Sequence, residues 1–122
     1  MAEHNNLGQK GEDRARIYLE SKGFKIRHTN YRVGKLELDI VAEKDGWLIV
    51  VEVRTRSNSN FIAPEETIDL RKIKNLVNAA GGYIRYHNWQ GETRFDIITV
   101  MPQRDGTYKI EHIEDAFLPP VY

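Results

Sequence analysis

Two short runs of alternating, β-branched residues, Leu36 to Glu43 and Trp47 to Arg54, flank Lys44-Asp45-Gly46 and carry the acidic residues Glu37, Asp39 and Glu52. Asp-Gly between such runs is a strong hairpin-turn signal. With Asp45 and Gly46 as the turn, Lys44 faces Trp47 and the rest of the register follows. Leu38 then lies opposite Val53, Ile40 opposite Val51 and Ala42 opposite Ile49, an apolar core face that also takes Trp47. The other face sets Val41 against Val50, Asp39 against Glu52 and Glu37 against Arg54. Directly opposed Cβ atoms lie about 4.5 to 5.5 Å apart, so Asp39 and Glu52 repel unless one keeps a proton, a base intervenes or a divalent cation binds both. Hard oxygen donors select Mg²⁺, Mn²⁺ or Ca²⁺ over softer metals. Beside a phosphodiester, such an ion offers hydrolysis by an activated water. The competing reading needs no metal: Arg54 or Arg56 neutralises the pair on a partly exposed face.

The elements that must position this hairpin are legible from periodicity. Gly11, Ala15, Tyr18 and Leu19 recur at helical spacing before the stop at Gly23, predicting a first helix from Asn6 to Lys22. Phe24, Ile26, His28 and Asn30 alternate as a strand that turns near Gly34. A polar loop, Ser57 to Ala63, follows the hairpin. Asp69 is an N-cap candidate for a second helix through Leu70, Ile73, Val77, Ala80 and Ile84 to about Tyr86, its apolar phase continuing across Gly81-Gly82. Phe95 to Met101 and Thr107 to Ile113 read as two further strands. The order α-β-β-β-α-β-β implies an α/β sandwich with a mixed sheet, since the connection through the second helix is long enough for a parallel crossover.

The chain has 122 residues and 40% hydrophobic content, enough for one domain. The reading is a single domain over residues 1–122 with irregular tails at 1–6 and 115–122. Lys+Arg 18 balances Asp+Glu 18, so no global field points to a polyanion or a membrane. The charge is nevertheless unevenly placed: residues 1–36 carry +4, 37–53 carry −4, 54–74 carry +2 and 75–122 carry −2. An acidic centre between basic segments suits a protein that holds metal ions and approaches a polyanion; solvated surface charge is the plainer reading. The absence of cysteine excludes a disulfide framework, a zinc ribbon and a thiol nucleophile, and makes a reducing cytoplasm the expected location. No apolar run approaches a membrane span. Gly8-Gln9-Lys10-Gly11 lacks both the preceding strand and the Lys-Ser/Thr ending of a P-loop. The histidines His4, His28, His87 and His112 fall in separate elements, and no serine has an elbow motif.

Five ordered motifs carry a resemblance. Gly8-Gln9-Lys10-Gly11-Glu12, Asn30-Tyr31-Arg32, Glu37-Leu38-Asp39, Val51-Glu52-Val53-Arg54-Thr55-Arg56-Ser57 and Arg94-Phe95-Asp96 resemble the YraN-like family of small bacterial proteins. That family lies within the PD-(D/E)XK superfamily of restriction endonucleases and Holliday-junction resolvases. The resemblance implies a restriction-endonuclease-like three-layer sandwich, with a mixed central sheet flanked by helices. It also implies a metal-dependent endonuclease hydrolysing phosphodiesters in DNA, branched DNA included; the alternative is an inactive nucleic-acid-binding module that retains the fold. Asp39, Glu52 and the Val53 carbonyl would bind Mg²⁺ or Mn²⁺, Glu12 would complete the site, and Glu37 would support it or pair with Arg54. Arg54 stands where active members commonly have lysine. Arginine cannot act as a general base but can neutralise charge on a phosphate oxygen. Lys35, Lys72 and Lys74 are candidate substitutes for the lysine. Asp96 is left outside the metal site as an arginine anchor. DNA contact would come from Arg56, Lys72, Lys74, Lys10 and Arg14, and resolvase-like relatives imply a homodimer.

Overall fold

A computed structural model describes residues 6–56 and 69–117. The polar loop expected at Ser57 to Ala63 and residues 118–122 of the expected tail lie outside the described residues. The elements run α1 (Asn6–Ser21), β1 (Lys25–Val33), β2 (Leu36–Lys44), β3 (Trp47–Thr55), α2 (Leu70–His87), β4 (Glu92–Pro102) and β5 (Tyr108–Ile113). The sheet order is β1-β2-β3-β4-β5. β3 and β4 are parallel and the other neighbours antiparallel, so the sheet is mixed and α2 lies in the crossover. β4 starts earlier than its apolar pattern suggests because Glu92, Thr93 and Arg94 join the ladder opposite Trp47, Leu48 and Ile49.

Both sheet faces are covered. On one, Ala15 and Leu19 of α1 pack with Ile40, Ala42, Ile49, Val51, Ile98 and Val100. On the other, Leu76, Ala79, Ala80 and Tyr83 of α2 pack with Leu38, Val41, Leu48, Val50 and Phe95. The result is a three-layer α/β/α sandwich of the restriction-endonuclease-like kind. Among the described residues, no helix is long and apolar enough to cross a membrane.

Local chemistry accounts for the element ends. Asp45 (φ 54°) and Gly46 (φ 83°) are both left-handed, the pair of conformations a type I′ hairpin turn demands. Asp69 caps α2 through Oδ1, which accepts from the Lys72 N–H at 2.9 Å. Gly82, inside α2, is a packing device: a Cβ there would stand 2.6 Å from Val33 Cγ1.

The hairpin register is as expected from Lys44↔Trp47 through Ile40↔Val51, where the β2–β3 ladder stops. The face assignment of Leu38 is corrected. Leu38 joins Leu36, Tyr31 and Val33 on the α2 side, whereas Ile40 and Ala42 face α1. Strand alternation therefore breaks at Asp39. The physical cause is that the Asp39 carboxylate takes the Val53 N–H at 2.9 Å, a donor that a continuing ladder would have paired with a β2 carbonyl. Trp47 is a second correction: it is 39% exposed at the hairpin end, beyond both core clusters, and not in the core.

Candidate functional site

Where β2 and β3 separate, two carboxyl groups meet. Asp39 is held through Oδ2 by the Val53 N–H. Glu52, on β3, is buried at 6% exposure. Its Oε2 lies 3.4 Å from Arg54 Nε and 3.5 Å from Lys72 Nζ of α2. Arg54 thus engages Glu52 on its own strand, and Glu37, exposed, pairs with Arg32 in the β1–β2 ladder.

Burial sets the electrostatics. It raises the Asp39 pKa above the ordinary carboxylate range, against the lowering effect of the Val53 N–H and Lys72. Burial and then the charge of Asp39 push Glu52 up to about 7, against Lys72 and Arg54. Near neutral pH the pair therefore resists full ionisation, as two carboxylates in one dry site must.

Glu12 comes to the margin of this site because α1 packs closely on the end of β3. Gly11 makes this possible, since a Cβ there would collide with Thr55 Oγ1. The Glu12 carboxylate accepts from Asn30 Nδ2 at 2.7 Å. Burial raises its pKa, the Asn30 hydrogen bond opposes this, and the charges of Asp39 and Glu37 add to the rise. Among the described residues, no three or more His, Cys, Asp or Glu side chains form a group that could hold a metal. The centre is thus a two-carboxylate pair, with Glu12 held by Asn30 beside it.

The expected cationic residues are dispersed. Lys72 reaches the pair, and Lys74 lies half-buried on the same helix. Arg56 continues the line of β3, its N–H bonded to the Val100 carbonyl at 2.9 Å. Lys10 is exposed on α1, and the Arg14 guanidinium lies over the Tyr108 ring, 4.8 Å from its centroid, beside β5. The contact sequence reading missed is Lys72 with Glu52. The sequence carried only a weak signal for it: beyond the Asp69 cap, α2 has no acidic residue in its first turn and begins Leu70-Arg71-Lys72, cations at the end of a helix that favours anions.

Residues 11–100 match the model of the Uncharacterised protein family UPF0102. The chain belongs to this family. Among similar proteins, a UPF0102 protein of Bacteroides thetaiotaomicron is 52% identical over 122 residues, covering all of both chains. One from Phocaeicola vulgatus is 46% identical over 122 residues, again all of both chains. One from Flavobacterium psychrophilum is 45% identical over 117 residues, 96% of this chain and 98% of the relative. The YraN-like resemblance thus holds at the level of the family. The matched UPF0102 span contains Glu12, Asp39, Glu52, Arg54, Lys72 and Asp96, and it ends before β5.

Two further clusters brace the UPF0102 scaffold. Asp96, 1% exposed, accepts from Arg94 Nε at 2.8 Å and Nη2 at 2.9 Å, from the Asp115 N–H at 3.0 Å, and pairs with His112 Nε2 at 2.7 Å. Burial opposes its ionisation, but the bonds from His112, Arg94 and Asp115 prevail and hold its pKa low. Asp96 is the arginine anchor that its motif suggested. The second cluster joins β1 to α2: His28 Nδ1 lies 2.7 Å from the Tyr83 hydroxyl, which also accepts from Arg27 Nε at 2.8 Å. His28 and His87, expected apart, have ring centroids 5.1 Å from each other because α2 crosses β1 there.

Proposed function

We propose that this protein is a metal-dependent phosphodiesterase of the nuclease type that acts on DNA, with branched DNA as the substrate class the resemblance favours. One observation supports this reading most: two carboxyl groups from adjacent strands share a buried site, Asp39 on the Val53 N–H and Glu52 6% exposed beside Arg54 and Lys72. Arg54 and Lys72 beside Glu52 offset part of the repulsion, and a hard divalent cation bound by both carboxylates would remove the rest.

The donor set fits such an ion. Asp39 and Glu52 would hold Mg²⁺ or Mn²⁺ together with the Val53 carbonyl, an all-oxygen set that leaves room for the waters Mg²⁺ retains. A bound divalent cation supplies charge neutralisation at the scissile phosphate and a nucleophilic water at neutral pH. The protein's own groups do the rest. The Val53 N–H orients Asp39, and Asn30 holds Glu12 ready at the margin. The Arg54 guanidinium, always charged, neutralises charge developing on a phosphate oxygen. Lys10, Arg14, Arg56, Lys72 and Lys74 contact backbone phosphates without reading sequence.

A second reading is favoured by Arg54 itself: with a guanidinium where a lysine would serve as proton acceptor, the domain binds DNA without cutting it. Labelled four-way junction, flap and single-stranded DNA, incubated with wild type, Asp39→Asn and Glu52→Gln in Mg²⁺ or Mn²⁺, separate the two. Cleavage lost in both variants supports the enzyme. Binding without cleavage supports the module, and no binding at low salt removes both.

A further inference from the structure

Glu52 Oε2 has two cations beside it, and their situations differ. Arg54 is fixed on β3 with 26% of its side chain exposed, while Lys72 approaches from α2 with 43% exposed. The Lys72 backbone is locked by the helix cap, its N–H on Asp69 Oδ1 at 2.9 Å and the Ile73 N–H on the Asp69 carbonyl at 3.1 Å. Only its flexible four-carbon stem is free to swing, and that stem ends in a compact point charge on the solvent side of the carboxylate. A divalent cation and an ammonium cannot both sit against the same oxygen without strong repulsion. A metal arriving at Glu52 must therefore displace Lys72 sooner than the more buried Arg54.

The start of α2 supports this independently. Its opening residues, Leu70-Arg71-Lys72-Ile73-Lys74, place three cations where the helix dipole favours anions. Among the described residues, the Asp69 cap and Glu52, which Arg54 also engages, are carboxylates set near this helix end. A phosphate drawn to the same end of the helix would meet both the dipole and the Lys72 ammonium.

We propose that Lys72 is a placeholder counter-ion. It neutralises Glu52 while the site is metal-free and is released by metal loading to contact the substrate phosphate, so that one lysine couples the two binding events. The proposal rests on the phosphodiesterase reading and adds to it an order of events: metal first, phosphate contact second.

The test compares wild type, Lys72→Met and Lys72→Arg. Mn²⁺ alone is titrated into each by calorimetry, without DNA. Binding of a labelled four-way junction is then followed by fluorescence anisotropy in Ca²⁺ across a salt series, and thermal melts verify folding. Removing the competing charge should tighten Mn²⁺ binding by Lys72→Met about three- to tenfold. The same variant should weaken junction binding in Ca²⁺ and lower its salt slope by about one phosphate contact. Lys72→Arg should stay near wild type in both. Loss of a merely structural residue would not move the two affinities in opposite directions. If Lys72→Met does not fold, Lys72→Gln carries the same measurements. Unchanged or weaker Mn²⁺ binding by a folded variant overturns the placeholder alone. A wild type that takes up neither Mn²⁺ nor junction DNA overturns the phosphodiesterase reading and this proposal with it.

Discussion

The Val53 N–H donates to Asp39 Oδ2 at 2.9 Å, so the residue at which β2 leaves β3 also supplies the acceptor that the departing strand withdraws. Asp39→Ala removes that acceptor and should cost about 1–3 kcal/mol, the price of an unmet, partly buried donor. Asp39→Asn keeps a carbonyl oxygen and should stay within about 1 kcal/mol of wild type while losing divalent binding. Urea unfolding and Mn²⁺ calorimetry on both variants check this. Equal destabilisation by Ala and Asn would contradict it.

Glu52 gives a pH dependence of definite sign. Burial and the charge of Asp39 raise it from its ordinary 4.5 to about 7. Because the folded pKa is the higher, the folded protein binds the extra proton. The associated stability is complete below pH 4.5 and is lost as pH rises through 7. Between pH 6 and 8 this amounts to about 1 kcal/mol, and Glu52→Gln should remove that slope. Melts of both proteins in chelator measure it, and parallel pH slopes would refute it.

Gly11 permits the approach of α1 to β3, since any Cβ there meets Thr55. Gly11→Ala should destabilise by about 1–3 kcal/mol despite its better helix propensity, and Thr55→Ser should not restore it, because the hydroxyl remains. Gly11→Ala paired with Thr55→Ala should recover most of the loss. A double-mutant cycle by chemical denaturation decides the matter.

Asp96 is the nearest partner of both Arg94 and His112, whose other partners are Glu114 at 3.9 Å and the Tyr18 hydroxyl at 3.1 Å, and its side chain has no exposure. Asp96→Ala removes the short, buried partner of both side chains and leaves them only Glu114 and Tyr18, and should cost about 2–4 kcal/mol. Since its pKa is held low, its contribution is present above the ordinary 3.8 and is lost as pH falls further. Acid unfolding of wild type and His112→Phe should show the variant giving way at the higher pH.

His28 carries a third pH signature. Burial lowers its pKa, and the nearby charges of His87 and Arg27 lower it further. Stability is therefore complete above the ordinary 6.5 and falls as pH drops toward the lower folded value. Amide protection factors in α2, referred to the intrinsic exchange rate at each pH, should fall below pH 6.5 in wild type and less so in His28→Phe.

Much of this was legible locally. The Asp45-Gly46 turn determines the inner hairpin register, because only one register keeps Ile40, Ala42, Ile49 and Val51 together. Asp69 announces the start of α2 because an N-cap acts over three residues. That Asp39 and Glu52 converge followed from the same turn, as did their mutual repulsion. What the sequence left undetermined depends on segments far apart in the chain. Period-two alternation assumes an unbroken ladder, so it misplaced Leu38, whose side is decided by the Asp39 carboxylate capturing a β3 donor. The contact of Lys72 with Glu52, the hold of Asn30 on Glu12 and the approach of His28 to His87 each join elements that meet only once both helices lie on their own faces of the sheet. Local periodicity therefore determined which residues form each strand and helix, whereas tertiary closure decided which charges face one another, because side-chain electrostatics depend on distance through space.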